Sequence, residues 1–581
     1  MKSFRPVSSS ARGQIRHRSF EDHFSDDSII RELCRARVKW AERRDEALFF
    51  HDIDRSKPAA EHISVDWGGI PADIFPPRKA WNRYRPRKRA DWPDVDLETL
   101  LRATRHLSRE TSHAPWARRL KDAVETLRCR ALAQGPFVFS PPQIVPEEKD
   151  QKARTYRPVS SLALSDKIID CLTARYFRET LDCALLECCL AYRPRRNTRN
   201  DGLDAILRER QTCPRLFVAE CDLRGFFDCV SHTVAREALR TLIGDAQRGQ
   251  PALSINLRAL EIFEAYLFCY SFLRSVRQGA EPELKMRSGS EAEYPWPEEQ
   301  LREFHGPDLD EVGVPQGGAL SGVIANSVLH LVDKEVSSAC KGRGVTYLRY
   351  CDDMILLGPE GAAVADAFDR YCSALRRLRL PIHNPQPLKP YTGSDKRRFW
   401  DAKSRAVYKW GDPREADAYP WIQFLGYQIR YDSAVRVRQS SVNKELTKQV
   451  QTTGRLLDSL RPSNVANIRR SPSSIAHSLH MKLISMGVGR RKPAQPVAGP
   501  LPMCWAHGFR WLSGKDVLTN NLRALDRQRE RQVSRVVRRL RGLELADAGA
   551  QPRHCGFRFS YVGQFLKLGT PSSEDDPDKS L

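Results

Sequence analysis

No run of about eighteen apolar residues occurs in this chain of 581 residues, so a membrane-spanning helix and a membrane partner are not expected. The first twenty residues lack the apolar segment of a secretory signal. They are rich in Arg and Ser and lack early acids, which loosely mimics a transit peptide, but mobile basic termini are common and are the expectation. Fifteen cysteines are scattered without a repeated CxxC pair. Cys183, Cys188 and Cys189, near Cys171, lack the paired spacing of a zinc site. Buried thiols in a reducing cytoplasm are the expectation. No internal repeat is present. Acidic residues are outnumbered, 72 Asp and Glu against 95 Lys and Arg, for a net charge of +23. A surplus this large attracts polyanions, nucleic acid before membrane, without saying which nucleic acid. With 41% apolar and 29% charged residues, the chain has the composition of a folded protein of two to four structural units.

Residues 1–135 read as an N-terminal extension that is basic and partly helical, with a helix over Ser28–Phe50. The patch Arg78–Arg89 interleaves Trp81 and Tyr84 with cations. That pattern suits phosphate contact with base stacking, and equally a solvated loop. From Phe137 short apolar strands alternate with helices. Phe217-Val218-Ala219 reads as a strand entering Asp222. Tyr347–Tyr350 and Met354–Leu357 read as two strands around Cys351-Asp352-Asp353. A polar, Pro-containing insertion at about 278–310 reads as an exposed loop. Beyond about residue 440 the chain is helical and basic. Over Asn521–Leu543 it places Leu522, Leu525, Val533, Val536, Val537 and Leu540 on one side, with Arg527, Arg531, Arg535, Arg538 and Arg539 on the other. Arg535 and Arg538 are candidates for RNA contact. The tail 571–581 reads as disordered.

Two acidic motifs carry chemistry. Asp222 ends an apolar strand, where an unpaired carboxylate is costly, within Asp222-Leu223-Arg224-Gly225-Phe226-Phe227-Asp228. Asp352 and Asp353 stand side by side in an expected hairpin tip, where a divalent cation would relieve their repulsion. Phosphoryl transfer from a nucleoside triphosphate uses two Mg²⁺ ions held by hard oxygen ligands. Asp222 and Asp352 on neighbouring strands could bridge both, with the Leu223 carbonyl as a further ligand and Asp353 alongside; Mn²⁺ can substitute. Two surface acidic turns are the plain alternative. A third motif, Gly313-Val314-Pro315-Gln316-Gly317-Gly318, opens a helix through Asn326 to Val332. Its glycines would allow close backbone approach to a ligand beside the Gln316 amide.

In this order the motifs resemble the bacterial reverse transcriptases of the group II intron and retron kind. Ile144–Ile169, with Arg157-Pro158 and Asp166, resembles a fingers segment. Ala191–Thr198 resembles the next block, usually Gly-Phe-Arg-Pro-Gly-Arg-Ser. Asp222–Asp228 resembles the first palm motif, Pro315–Gly318 with Asn326 the second, and Tyr350–Asp353 the Tyr-x-Asp-Asp signature. Lys389 resembles the lysine of the following motif, and Phe424-Leu425-Gly426-Tyr427 the primer-grip turn. The resemblance spans roughly residues 137–445. It implies an α+β polymerase right hand: fingers over 136–214, a palm with an antiparallel sheet over 215–435, and an α-helical thumb with an RNA-binding region over 436–570.

The resemblance also implies roles. Asp222, Asp352 and Asp353 would be the metal-binding catalytic carboxylates. Phe227 would be a steric gate that excludes a 2′-hydroxyl and selects dNTPs. Arg157, with Lys152 or Arg154, would contact the triphosphate, and Gln316 would line the nucleotide pocket. Arg193, Arg195 and Lys389 would meet nucleic acid. The implied partners are an RNA template, the DNA product, dNTPs, and a second protein or a second copy. Some motifs depart from the pattern. Ser321-Gly322 replaces Ser-Pro, Arg195-Arg196-Asn197 replaces Gly-Arg-Ser, and Leu380–Pro385 is rewritten. A retron-type Val-Thr-Gly and an endonuclease tail with cysteine pairs are lacking. With the long N-terminal extension, these departures resemble defence-associated bacterial reverse transcriptases, which implies antiviral action with a dedicated non-coding RNA. Three rivals stand beside this reading. An RNA-dependent RNA polymerase is disfavoured by Phe227 and by Cys351 in place of Gly. A maturase or RNA scaffold is disfavoured by three retained aspartates. A template-independent or protein-primed polymerase is not marked by any particular hydroxyl.

Overall fold

The computed structural model describes residues 18–54, 69–85, 95–150, 154–194, 198–388, 393–488 and 512–543, apart from positions 72, 308, 416, 513 and 514. Lys152, Arg195, Lys389, residues 86–89 of the basic patch and the tail 571–581 therefore lie outside the described residues. The fold is mixed α and β, mostly helical, with ten strands in three sheets among the described residues.

Strands β1 (Gln143–Asp150) and β2 (Thr155–Ser161) form an antiparallel hairpin with a bulge at Lys149. The central sheet contains β3 (Leu216–Asp222), β4 (Thr346–Tyr350), β5 (Asp353–Gly358), β6 (Arg405–Trp410) and β7 (Ala418–Tyr419). Its spatial order is β4-β5-β3-β6-β7, antiparallel except for the β6–β7 pair. A small meander, β8 (Trp421–Phe424), β9 (Tyr427–Arg430) and β10 (Val435–Val437), follows.

Strand β3 sits in the middle of the sheet, and its two faces enter different cores. Side chains alternate across a strand. Ala219 and Cys221 join a large cluster with Met354, Leu356 and the helices Leu320–Cys340 and Gly361–Arg377. Leu216 and Val218 join a second cluster with Ile355, Leu357, Trp410, Ile422 and Phe424. Glu220 and Asp222 share the parity of that second face. The nearly continuous apolar run of β3 follows from this double burial.

The packing runs across residue 135 without a break. Phe20, Phe24, Ile29 and Leu33 belong to the same core as the helix Leu164–Leu181 and the central sheet. The helix Asp26–His51 has 26 residues, about 39 Å at 1.5 Å each. Phe49 and Phe50 at its far end, and Ile53 just beyond it, pack with Leu479, Val536 and Leu540 from the C-terminal helices Pro472–Val488 and Lys515–Gly542.

The insertion departs from its sequence reading as an exposed loop. A π-helix, Phe272–Ala280, leads into it, and it contains the α-helices Glu281–Ser288 and Glu298–His305. These enclose a core of their own that includes Leu284, Tyr294, Trp296, Leu301 and Leu309. Arg277 organises it, donating to the carbonyls of Tyr294, Pro295 and Trp296 and to Glu281. Polar composition hid this because a few large buried side chains, not a periodic stripe, hold the segment. No helix among the described residues is long and apolar enough to cross a membrane.

Candidate active site

Asp222 stands directly opposite Asp353 across β3 and β5. Cβ atoms of such facing pairs lie about 4.5–5.5 Å apart. Tyr350 pairs with Asp353, so Cys351 and Asp352 are the two residues of the β4–β5 turn. Cys351 takes the left-handed conformation, φ 60°, that the first position of a tight hairpin turn demands. Its Sγ–H donates to the Tyr192 hydroxyl at 3.7 Å. Behind the turn, Arg349 donates to the Cys351 carbonyl at 3.0 Å and to both oxygens of Asp333 on the helix Leu320–Cys340.

The three aspartates repel one another. Burial and then Asp352 push the Asp222 carboxyl up to about 6. Burial also raises Asp352. Burial, then Asp222, Asp352 and Glu220, hold Asp353 well above the usual carboxylate range. Below them on the same face, Glu220 is neutralised by a buried pair with Arg405 and accepts the Gln423 amide at 2.7 Å. An isolated bridge pairs Leu223 with Ile382. Its two hydrogen bonds use the Asp222 carbonyl and the Arg224 amide, which turns the Leu223 carbonyl away from that neighbour.

Cations surround the carboxylates. Lys403 Nζ is 3.6 Å and His383 Nε2 3.8 Å from Asp222 Oδ2. The Asp222 amide donates to Ser404 at 3.1 Å. Burial, Lys403 and Lys149 push His383 down to about 4, so it is neutral near pH 7. Lys149 is lowered by burial and by the charges of Lys403 and Arg157, and raised by Asp228 and Asp222. Lys149, His383 and Lys403 escaped the sequence reading. They come from a bulge and from irregular chain, where no period marks them.

Gln316 donates to the carboxylate of buried Asp228, and its backbone carbonyl accepts the Ser160 amide at the end of β2. Burial pushes Asp228 up to about 7, against the opposing pull of Gln316, Lys149 and Arg157. Gly318 needs its missing side chain, because a Cβ there would lie 2.0 Å from the Tyr266 hydroxyl oxygen. Next to it, Asp170 accepts the amides of Ala319 and Leu320 and so caps the helix that follows. Phe227 is half-buried against Phe226, with ring centroids 5.1 Å apart. Its carbonyl accepts the Val314 amide at 2.8 Å. The Phe424–Tyr427 turn holds Leu425 and Gly426 both left-handed.

Arg157 is exposed on β2, within electrostatic reach of Asp352, Asp228 and Lys149. Other expected residues lie elsewhere. Arg154 pairs with Glu291 of the insertion at 3.3 Å. Arg535 and Arg538 are exposed on the helix Lys515–Gly542. Arg193 corrects the sequence reading of a nucleic-acid contact. Its side chain is buried and bonded to Asp182 and to the carbonyls of Asp182, Leu186 and Cys189. The guanidinium neutralises an interior carboxylate and holds a turn.

Among the described residues, no three His, Cys, Asp or Glu side chains are gathered tightly enough to hold a metal unaided. The donor chemistry is of the kind that a hard divalent cation such as Mg²⁺ would take. Facing carboxylates and a turned-out carbonyl are hard oxygen ligands, and Mg²⁺ ordinarily completes its shell with waters and substrate phosphates. The mutual repulsion of Asp222, Asp352 and Asp353 is the cost a divalent cation would remove.

No protein-family model matches the chain, and no curated protein matches it. Among solved structures, apo telomerase from Candida tropicalis truncated from its C-terminal domain is 14% identical, with 51% of this chain and 56% of that one covered, at TM-score 0.31. Telomerase from Candida albicans in complex with a fragment of telomeric RNA is 13% identical, with 65% and 53% covered, at 0.28. The chain thus spans little more than half of either protein. Apo telomerase from Candida tropicalis is 11% identical, with 81% and 78% covered, at 0.32. Likeness at these scores carries no argument about this chain.

Proposed function

We propose that the chain is an RNA-directed DNA polymerase that extends a primer strand with dNTPs. The observation that carries this reading is the facing pair Asp222 and Asp353, with Asp352 at the adjoining turn, in the field of the cations Lys149, Arg157 and Lys403. Carboxylates that repel one another suit divalent cations, and cations clustered beside them suit a triphosphate.

In this account the β1–β2 hairpin is the fingers, the central sheet the palm, and the C-terminal helices the thumb. Asp222, Asp352, Asp353 and the Leu223 carbonyl would hold two Mg²⁺ ions, which supply Lewis acidity at the primer 3′-oxygen and at the leaving pyrophosphate. The protein's own groups do the rest. Lys149, Arg157 and Lys403 bind and orient the triphosphate. Gln316, tied to Asp228, borders the nucleotide pocket. The Phe227 ring excludes a 2′-hydroxyl. Arg349 and Asp333 fix the turn that carries Asp352. The cationic face of the helix Lys515–Gly542 binds the nucleic-acid backbone, with Arg535 and Arg538 exposed on it. The motif departures favour a defence role with a dedicated non-coding RNA. A phage challenge comparing wild type with the Asp352→Ala/Asp353→Ala variant tests that role.

The sugar and template assignments are tested by primer extension on matched RNA and DNA templates with dNTPs or rNTPs. Extension on RNA with dNTPs, and relaxed sugar choice in Phe227→Ala, is the expected result. Extension with rNTPs alone would overturn the sugar assignment, and extension on the DNA template alone would overturn the template assignment.

A further inference from the structure

The insertion joins two parts of the proposed nucleotide site. At one end, Glu293 bridges to Thr155 on β2. The Tyr156 amide donates to the Glu293 carbonyl at 2.9 Å, and the Glu293 amide donates to the Arg154 carbonyl at 3.2 Å. Three residues on, Trp296 is 1% exposed and held in the left-handed region, φ 64°. A bulky residue keeps such a conformation only where its surroundings impose it. Here the Trp296 carbonyl is gripped by Arg277 at 2.8 Å, and its ring packs edge-on with Phe304.

The Trp296 indole lies on Gly225, in the loop between Asp222 and Phe227. Gly225 has φ 63°, and a Cβ there would lie 2.3 Å from Trp296 Nε1 and 3.0 Å from Asp228 Oδ2. The position therefore admits only glycine, for both its backbone and its space. The Arg224 guanidinium stacks 4.3 Å above the same indole and donates to Gln300 at 3.2 Å. Gly225 in turn closes a tight turn, its carbonyl accepting the Asp228 amide at 3.0 Å. Phe227 lies inside that turn. Its backbone is fixed by Val314 on one side and by the Gly225–Trp296 contact on the other.

We infer that Trp296 is a positioning residue for sugar selection, setting the place of the Phe227 ring through Gly225. The inference rests on the polymerase reading and on Phe227 as the gate. A gate discriminates by tenths of an ångström, whereas binding of base and triphosphate tolerates more. Loss of the indole therefore lowers the preference for dNTPs over rNTPs more than it lowers dNTP turnover.

The test measures kcat/KM for dNTP and for rNTP in wild type, Phe227→Ala, Trp296→Phe, Trp296→Ala and Gly225→Ala, each with its melting temperature. A fall in the preference by about tenfold or more in Trp296→Ala and Gly225→Ala, with Trp296→Phe intermediate, is expected. Trp296→Phe keeps an apolar ring in the insertion core, so it reports on the gate even where Trp296→Ala fails to fold. A wild-type preference retained in Trp296→Phe and Gly225→Ala, while Phe227→Ala loses it, overturns the inference and leaves the gate intact. A preference retained in Phe227→Ala overturns the gate assignment itself, and with it the inference.

Discussion

Arg349 and Asp333 meet in a two-pronged ion pair with both side chains fully buried, Nε to Oδ1 at 2.8 Å and Nη2 to Oδ2 at 2.6 Å. The remaining reach of Arg349, to the Cys351 carbonyl, ties this pair to the turn that carries Asp352. Breaking a buried pair from one side leaves an uncompensated charge, at a cost of about 3–5 kcal/mol. Asp333→Asn should lower the melting temperature sharply. The double variant Arg349→Met/Asp333→Leu should regain only part of that stability, since the buried Tyr347 hydroxyl loses its Asp333 acceptor. It should still show weak extension, because the Cys351 carbonyl loses its donor. Full recovery of both would show that the pair serves packing alone.

Stability and metal binding oppose each other at Asp353. Its carboxylate is raised by burial and by three acidic neighbours, so removing the charge relieves repulsion. In chelator, Asp353→Asn should melt above wild type. On adding Mg²⁺ the wild type should gain stability, since a ligand bound only to the folded state stabilises it. The variant should gain little. Equal Mg²⁺ shifts in thermal melts of the two proteins would remove Asp353 from the ligand set.

Asp228 gives a pH signature. Its folded pKa of about 7 lies above the ordinary Asp value, so the folded state keeps a proton that the unfolded chain releases. Its contribution is neutral at low pH. Stability then falls as pH rises from about 4 to about 7, and the penalty is constant above. Asp228→Asn keeps an acceptor for Gln316 and cannot titrate. It should gain on wild type progressively across that window and be the more stable at pH 8. Parallel melting curves between pH 4 and 8 would contradict this.

The C-terminal helix should contribute through charge. Arg535→Glu/Arg538→Glu should weaken RNA binding at low salt. It should also flatten the plot of log K against log salt by about 1–2 units, since each lost phosphate contact removes about 0.7–0.9. An unchanged slope, measured by titration at several salt concentrations, would place RNA on another face.

The sequence made the carboxylates and their strands legible, because apolar runs ending in Asp are rare and Asp222 and Asp352-Asp353 fall at such ends. It did not reveal that Asp353, rather than Asp352, faces Asp222, since that depends on register. His383 and Lys403 reach Asp222 from irregular chain that follows the helices Gly361–Arg377 and Gly393–Asp401 respectively, where spacing carries no information. The insertion looked like a loop because Trp296 and Arg277, not a repeating apolar face, hold it. Arg193 reads as a nucleic-acid contact because its block resembles a fingers motif, yet Asp182, eleven residues earlier, claims its guanidinium.

The most direct test of the central claim is Mg²⁺-dependent extension of a labelled primer on an RNA template, wild type against Asp352→Ala/Asp353→Ala. The account predicts DNA product from the wild type, none with chelator, and none from the double variant that still binds the primed template. DNA synthesis by the double variant at the wild-type rate would contradict it.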